Sequence, residues 1–209
     1  MIIVGQKWRW TRDLFKMEKL FTIDIHTHIL PKNIPNFNKK FGYGEFVQLE
    51  HHKPCCAKMM MNDQFFREVE SNCWDGDQRI KECDLQNVDV QVLSTVPVMF
   101  SYWTSPKDGL EISKFINDDL IKVVDKSPNR FVGLGNIPMQ DTKLAIKELE
   151  RCKSIGMKGI QIGSHINDLN LDEPAFFPIY EACEELDMSL FVHPWWWMAK
   201  KKRDKYWLS

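Results

Sequence analysis

Histidines are the residues with the clearest capacity for chemistry. Asp24-Ile25-His26-Thr27-His28 closes an apolar run that begins at Phe21. In an extended strand, residues i and i+2 point to the same face. His26 and His28 therefore send both imidazoles to one side, at the end of that run. Two imidazoles so placed can hold a divalent ion such as Zn2+ at ~2.0–2.1 Å and leave positions open for other ligands and water. Two surface histidines at a strand end would give the same spacing without a metal. His193 shifts the reading toward a metal, because it ends a second apolar run, Leu190-Phe191-Val192-His193. It lies far along the chain from the first pair. The three can meet only in a barrel or similarly closed sheet, with the C-terminal ends of the strands together.

The segments between them must supply that sheet. Phe21 to Ile25 reads as a buried strand. The stretch from Phe46 to Glu70 is β-rich on either side of Met61-Asn62-Asp63-Gln64, whose turn residues predict a small hairpin. Asp75 can cap a helix running to about Gln86, and Val88 to Ser94 is the second core strand. Ser105-Pro106 opens a helix reaching about Lys126, and Arg130 to Gly135 is the third strand. Asp141 caps a helix with Leu144, Ile146, Leu149, Cys152 and Ile155 mostly on one face and Gly156 as its stop. Lys158 to Ile162, a helix over Pro174 to Leu186, and Met188 to Val192 complete the series. Apolar strands alternating with helices mean a parallel sheet with crossover helices. About five such units fit either an open doubly wound sheet or an incomplete (β/α)8 barrel, which when closed has eight.

The bulk numbers bound the function. A chain of 209 residues, 44% hydrophobic, buries one sizeable core. With 27% charged residues and a net charge of −1 it has no basic field for nucleic acid. Its apolar runs fall short of the ~20 residues of a membrane span. Six cysteines without a C-x-x-C pair, two of them adjacent at Cys55 and Cys56, predict a reduced, cytosolic set and no disulfide framework. Residues 1–20 carry Lys7, Arg9, Arg12, Lys16 and Lys19 without a long apolar stretch and read as an extension with no fold role. Residues 21–195 then form the folded unit, with the insertion at about 41–70, and 196–209 form a divergent tail.

Longer stretches are more specific than the histidines. Asp24–Lys32 (DIHTHILPK), Phe41–His52 (FGYGEFVQLEHH), Ser94–Trp103 (STVPVMFSYW), Arg130–Gln140 (RFVGLGNIPMQ), Lys158–Asn167 (KGIQIGSHIN) and Ser189–Trp195 (SLFVHPW) carry the pattern. They resemble the 2-amino-3-carboxymuconate-6-semialdehyde (ACMS) decarboxylase family of the amidohydrolase superfamily, from about Thr22 to Trp195. The resemblance implies an α/β fold of the (β/α)8 TIM-barrel type, here incomplete, with a small β-hairpin insertion after the first strand. It implies one zinc ion held by His26, His28 and His193, since no lysine ends the fourth strand to bridge a second metal. It assigns Arg67 to a substrate carboxylate, which a guanidinium grips in a two-point fork, and Phe66 to the pocket lining. By spacing alone Arg67 reads as a solvated charge.

The implied activity is metal-dependent decarboxylation of ACMS to 2-aminomuconate semialdehyde in tryptophan and kynurenine catabolism, diverting flux from quinolinate. A cytosolic homodimer acting on a small molecule, without nucleic acid or membrane partners, is the implied setting. The family's aspartate ligand, general-base histidine and partner-subunit arginine belong to later strands, beyond Ser209. A truncated form, inactive by itself, is therefore expected. A hydrolase of the same superfamily and a non-catalytic truncated isoform are the alternatives. His165 follows the fourth strand and could lie near a pocket mouth, whereas adjacent His51 and His52 must face opposite ways.

Overall fold

A computed structural model describes residues 20–194, so the expected extension up to residue 19 and the expected tail at 196–209 lie outside the described residues. Strand β1 (Ile23–Ile29) leads through a short helix α1 (Phe37–Phe41) into three antiparallel strands: β2 (Val47–Lys53), β3 (Cys56–Met61) and β4 (Gln64–Glu70). The chain continues through α2 (Gly76–Gln86), β5 (Val90–Thr95), α3 (Pro106–Lys126), β6 (Phe131–Gly135), α4 (Thr142–Ser154) and β7 (Gly159–Gly163). A small ribbon follows, β8 (His165–Ile166) with β9 (Leu169–Asn170), then α5 (Phe177–Glu185) and β10 (Ser189–His193).

The main sheet runs β1-β5-β6-β7-β10 and every pairing in it is parallel. Its spatial order never reverses along the chain, whereas a doubly wound sheet turns back at a switch point. A sheet wound in one direction curls. The two edge strands would stand about 19 Å apart if the sheet were flat, at ~4.8 Å per strand. Instead the Nε2 atoms of His28 on β1 and His193 on β10 are 3.1 Å apart. The sheet is therefore a segment of barrel wall, and of the two architectures open at the sequence level it is the barrel. Gly159 lets β7 and β10 close up, because a Cβ there would lie 2.3 Å from the Ser189 carbonyl oxygen.

Local chemistry starts the helices as expected. Asp75 accepts from the amides of Asp77 and Gln78, Ser105 from Asp108, and Asp141 from Leu144. Each such cap stabilises its helix by about 1 kcal/mol. Helix α3 buries Ile112, Ile116, Leu120 and Val124 at helical spacing. One core, with Leu93, Phe131, Leu149, Ile160 and Ile179, fills the space between sheet and helices. A second core joins Phe46, Val47 and Met59 of the insertion to Leu30, Phe37, Ile112 and Ile116. Full burial of a Phe, Leu or Ile side chain contributes about 1.5–3 kcal/mol, so the insertion is anchored to α3 by packing.

Three boundaries differ from expectation. The insertion is a three-stranded meander, not a two-stranded hairpin: Pro54-Cys55 breaks the first β-rich stretch in two, and the second turn sits at Asn62-Asp63, both with positive φ of 50° and 56°. Strand β1 continues to Ile29, so both its histidines lie inside the strand. Pro174–Phe176 forms a 3-10 turn and α5 begins only at Phe177.

Candidate metal centre

Strand β1 carries an irregularity between Asp24 and Thr27, where its register against β5 shifts by one residue. His26 lies within this bulge and is exposed, while His28 and His193 are half-buried. The ligand nitrogens of His26, His28 and His193 lie within 4.8 Å of one another, and the described residues contain no other such cluster of histidine, cysteine and carboxylate groups. The His26 ring meets the His28 ring edge-on at 5.1 Å between centroids and the His193 ring at 4.8 Å. Phe191, two residues before His193, packs against His26 at 5.3 Å.

Hydrogen bonds on the far side of two rings fix which nitrogen is free. His28 Nδ1 lies 3.0 Å from the Thr95 carbonyl oxygen, and His193 Nδ1 lies 2.6 Å from the Pro194 carbonyl oxygen. A carbonyl can only accept, so each Nδ1 carries the proton and each Nε2 presents a lone pair. The two lone pairs face one another across 3.1 Å. Two neutral acceptors so close repel unless a cation lies between them. The separation equals that of two nitrogens bonded at ~2.0–2.1 Å to one ion with roughly 100° between the bonds. Burial, then the neighbouring His193 and His26, push the His28 pKa down to about 4. Burial also lowers that of His193, against the raising effect of its bond to Pro194. Both shifts favour the neutral imidazole, the form that ligates a metal.

Behind this cluster lies a polar layer that the sequence did not single out. Arg79 on α2 is buried; its Nη2 donates to the His28 backbone carbonyl and its Nη1 to Gln91 Oε1 at 3.2 Å. Gln91 Nε2 in turn donates to Asp24 Oδ2 at 3.2 Å. Ser94 and Gln161, also buried, surround the Nδ1 side of His28. One signal for Gln161 was present: it is the single polar side chain in Gly159-Ile160-Gln161-Ile162-Gly163.

The other sequence candidates are not members of this histidine cluster. Arg67 and Phe66 are exposed on β4, at a bulge where Phe65 pairs with Met60 and Arg67 with Met59, leaving Phe66 without a register partner. The Arg67 guanidinium lies 5.2 Å over the Phe66 ring; burial raises the Cys73 thiol pKa, and the Arg67 charge is the weakest of the effects that oppose it. The Cys73 carbonyl accepts from the amide of Leu30, two residues past His28. His51 donates to the Lys32 carbonyl at 2.7 Å and packs on Trp74, while His52 lies 3.4 Å from Glu68. His165 is half-buried on β8, with its Nδ1 3.3 Å from Ser164 Oγ.

Comparison with known proteins places these features in a context. The amidohydrolase family model matches residues 23–204. A 2-amino-3-carboxymuconate-6-semialdehyde decarboxylase from Dictyostelium discoideum is 54% identical over 187 residues, covering 89% of this chain and 52% of the relative. One of the same name from Caenorhabditis elegans is 39% identical, covering 89% of this chain and 59% of the relative. The chain thus spans just over half the length of the curated relatives it matches. Among solved structures, a dihydroxybenzoic acid decarboxylase from Polaromonas sp. JS666 with bound manganese aligns with a TM-score of 0.65 at 22% identity, covering 89% of this chain and 53% of that one, a likeness of fold.

Proposed function

Because this chain belongs to the amidohydrolase family, we propose that His26, His28 and His193 hold one divalent metal ion, taken as zinc, in a decarboxylase acting on ACMS. The observation that carries the reading is the pair of Nε2 atoms 3.1 Å apart, each on a ring whose Nδ1 lies within hydrogen-bond distance of a backbone carbonyl. The 54% identity to the Dictyostelium relative supports the choice of substrate. The product is 2-aminomuconate semialdehyde, and this step draws material away from quinolinate in tryptophan catabolism. A homodimer in the cytosol is part of the same proposal.

A bound divalent ion supplies Lewis acidity and lowers the pKa of water toward ~7, giving a nucleophile at neutral pH. The chain's own residues do the positioning. His28 and His193, neutral and oriented from behind, keep their lone pairs toward one point. Arg67 offers its fork to a substrate carboxylate, with Phe66 beneath it as an apolar support. In the reaction the carbon–carbon bond to one carboxylate breaks, carbon dioxide leaves and a proton takes its place on carbon.

Two measurements test this. Metal content after dialysis against limiting zinc should approach one ion per chain and fall in His28→Ala. Loss of the ultraviolet absorbance of ACMS, corrected for spontaneous cyclisation, reports turnover in the metal-loaded protein that carries this sequence. Metal binding indifferent to all three histidines would remove the basis of the proposal.

A further inference from the structure

Gln161 is fully buried in the middle of β7, a position where barrel interiors ordinarily hold branched apolar side chains. Its amide does not bond to a neighbouring strand. It passes β6 and reaches β5, where Nε2 donates to the Thr95 carbonyl at 3.1 Å and Oε1 accepts from the Ser94 hydroxyl. These two partners are the ones that surround His28 Nδ1: the Thr95 carbonyl at 3.0 Å and Ser94 Oγ at 3.2 Å.

The Ser94 hydroxyl has one proton and three acceptors within reach: Gln161 Oε1, the Thr27 carbonyl at 3.0 Å, and His28 Nδ1. If it donated to Nδ1, the imidazole proton would sit on Nε2 and His28 could not be a ligand through that nitrogen. The Gln161 oxygen draws the hydroxyl proton away, so Ser94 presents a lone pair to Nδ1. The Gln161 amide N–H meanwhile holds the Thr95 carbonyl that receives the Nδ1 proton. Both effects favour the same tautomer, and the amide that produces them is anchored two strands away on β7.

We propose that Gln161 is a positioning residue of the metal centre: by engaging Ser94 and Thr95 it holds His28 in the tautomer whose Nε2 lone pair faces His193. This deepens the metal-site reading above and rests on it. Partners behind a ligating imidazole typically change metal affinity by about 10–100-fold when removed.

The test uses the full chain with 15N-labelled histidine, as wild type, Gln161→Leu, Ser94→Ala and the double variant. Long-range 15N–1H correlation spectra of the metal-free protein read the His28 tautomer, and competition with a chromophoric chelator reads zinc affinity. Wild type should show the Nδ1–H form. Gln161→Leu should lose part of it and bind zinc about 10–100-fold more weakly. In the Ser94→Ala background the same substitution should cost less, because the hydroxyl it controls is gone. A folded Gln161→Leu with wild-type tautomer and zinc affinity overturns the proposal. If that variant does not fold, Ser94→Ala decides: an unchanged tautomer and affinity overturn it, a shift in both supports it. A tautomer shift in a wild-type background that binds no zinc would keep the positioning role and reject the metal reading.

Discussion

Arg79 donates from Nη2 to the backbone carbonyl of His28, the residue whose imidazole faces His193. The guanidinium is buried on α2 and also donates to Gln91 on β5, so one side chain ties a helix to the two strands beneath the cluster. Replacing it by Met removes both donors while keeping bulk. The His28 carbonyl and Gln91 Oε1 then lose a partner, at about 1–3 kcal/mol for a buried acceptor left unpaired. Urea denaturation of Arg79→Met should show that loss. An unchanged midpoint would mean that water replaces the guanidinium at no cost.

His193→Ala should weaken zinc binding by more than the ~100-fold that an outer partner can account for, because it removes one of the facing lone pairs. The fold should persist, since His193 closes β10 and its ring is only half-buried. Chelator competition and circular dichroism on the same sample separate the two outcomes. Affinity equal to wild type would exclude His193 from the site.

Arg67 sits on a bulge over Phe66, and bulges re-aim side chains next to active sites. In metal-loaded, active protein, Arg67→Ala should weaken substrate binding and turnover. Zinc content should stay at the wild-type level, because Arg67 lies outside the histidine cluster. Wild-type kinetics in that variant would remove Arg67 from the carboxylate-binding role.

Acid stability should carry a signature of Asp108. The hydroxyls of Tyr43 and Ser105 both donate to its carboxylate and hold its pKa below the ordinary 3.8. A carboxylate depressed in the folded state contributes stability above its unfolded pKa and loses it as pH falls through the folded one. The stability difference between wild type and Tyr43→Phe should be constant near neutrality and shrink once pH falls below 3.8. Denaturant titrations across that range measure it. A difference that holds at its neutral-pH size down to low pH would show that Tyr43 acts only by packing.

The sequence by itself determined what depends on near neighbours. The caps at Asp75, Ser105 and Asp141 are set by a side chain and amides two or three residues on, and all three begin helices as read. The period-2 rule placed His26 and His28 on one face, and their ring centroids lie 5.1 Å apart. Apolar strands alternating with helices gave a parallel sheet, because only crossover helices can cover both of its faces. Tertiary structure decided what depends on curvature. Whether His193 meets His28 is a question of how far four strand intervals bend, and no local pattern states that angle. The bulges at His26 and Phe66 are register differences between two strands, so neither strand carries them alone. Arg79, Ser94 and Gln161 went unseen because each acts on a partner 51 to 67 residues away. Only the folded barrel wall puts a helix guanidinium, a strand hydroxyl and an amide from two strands away behind the same imidazole.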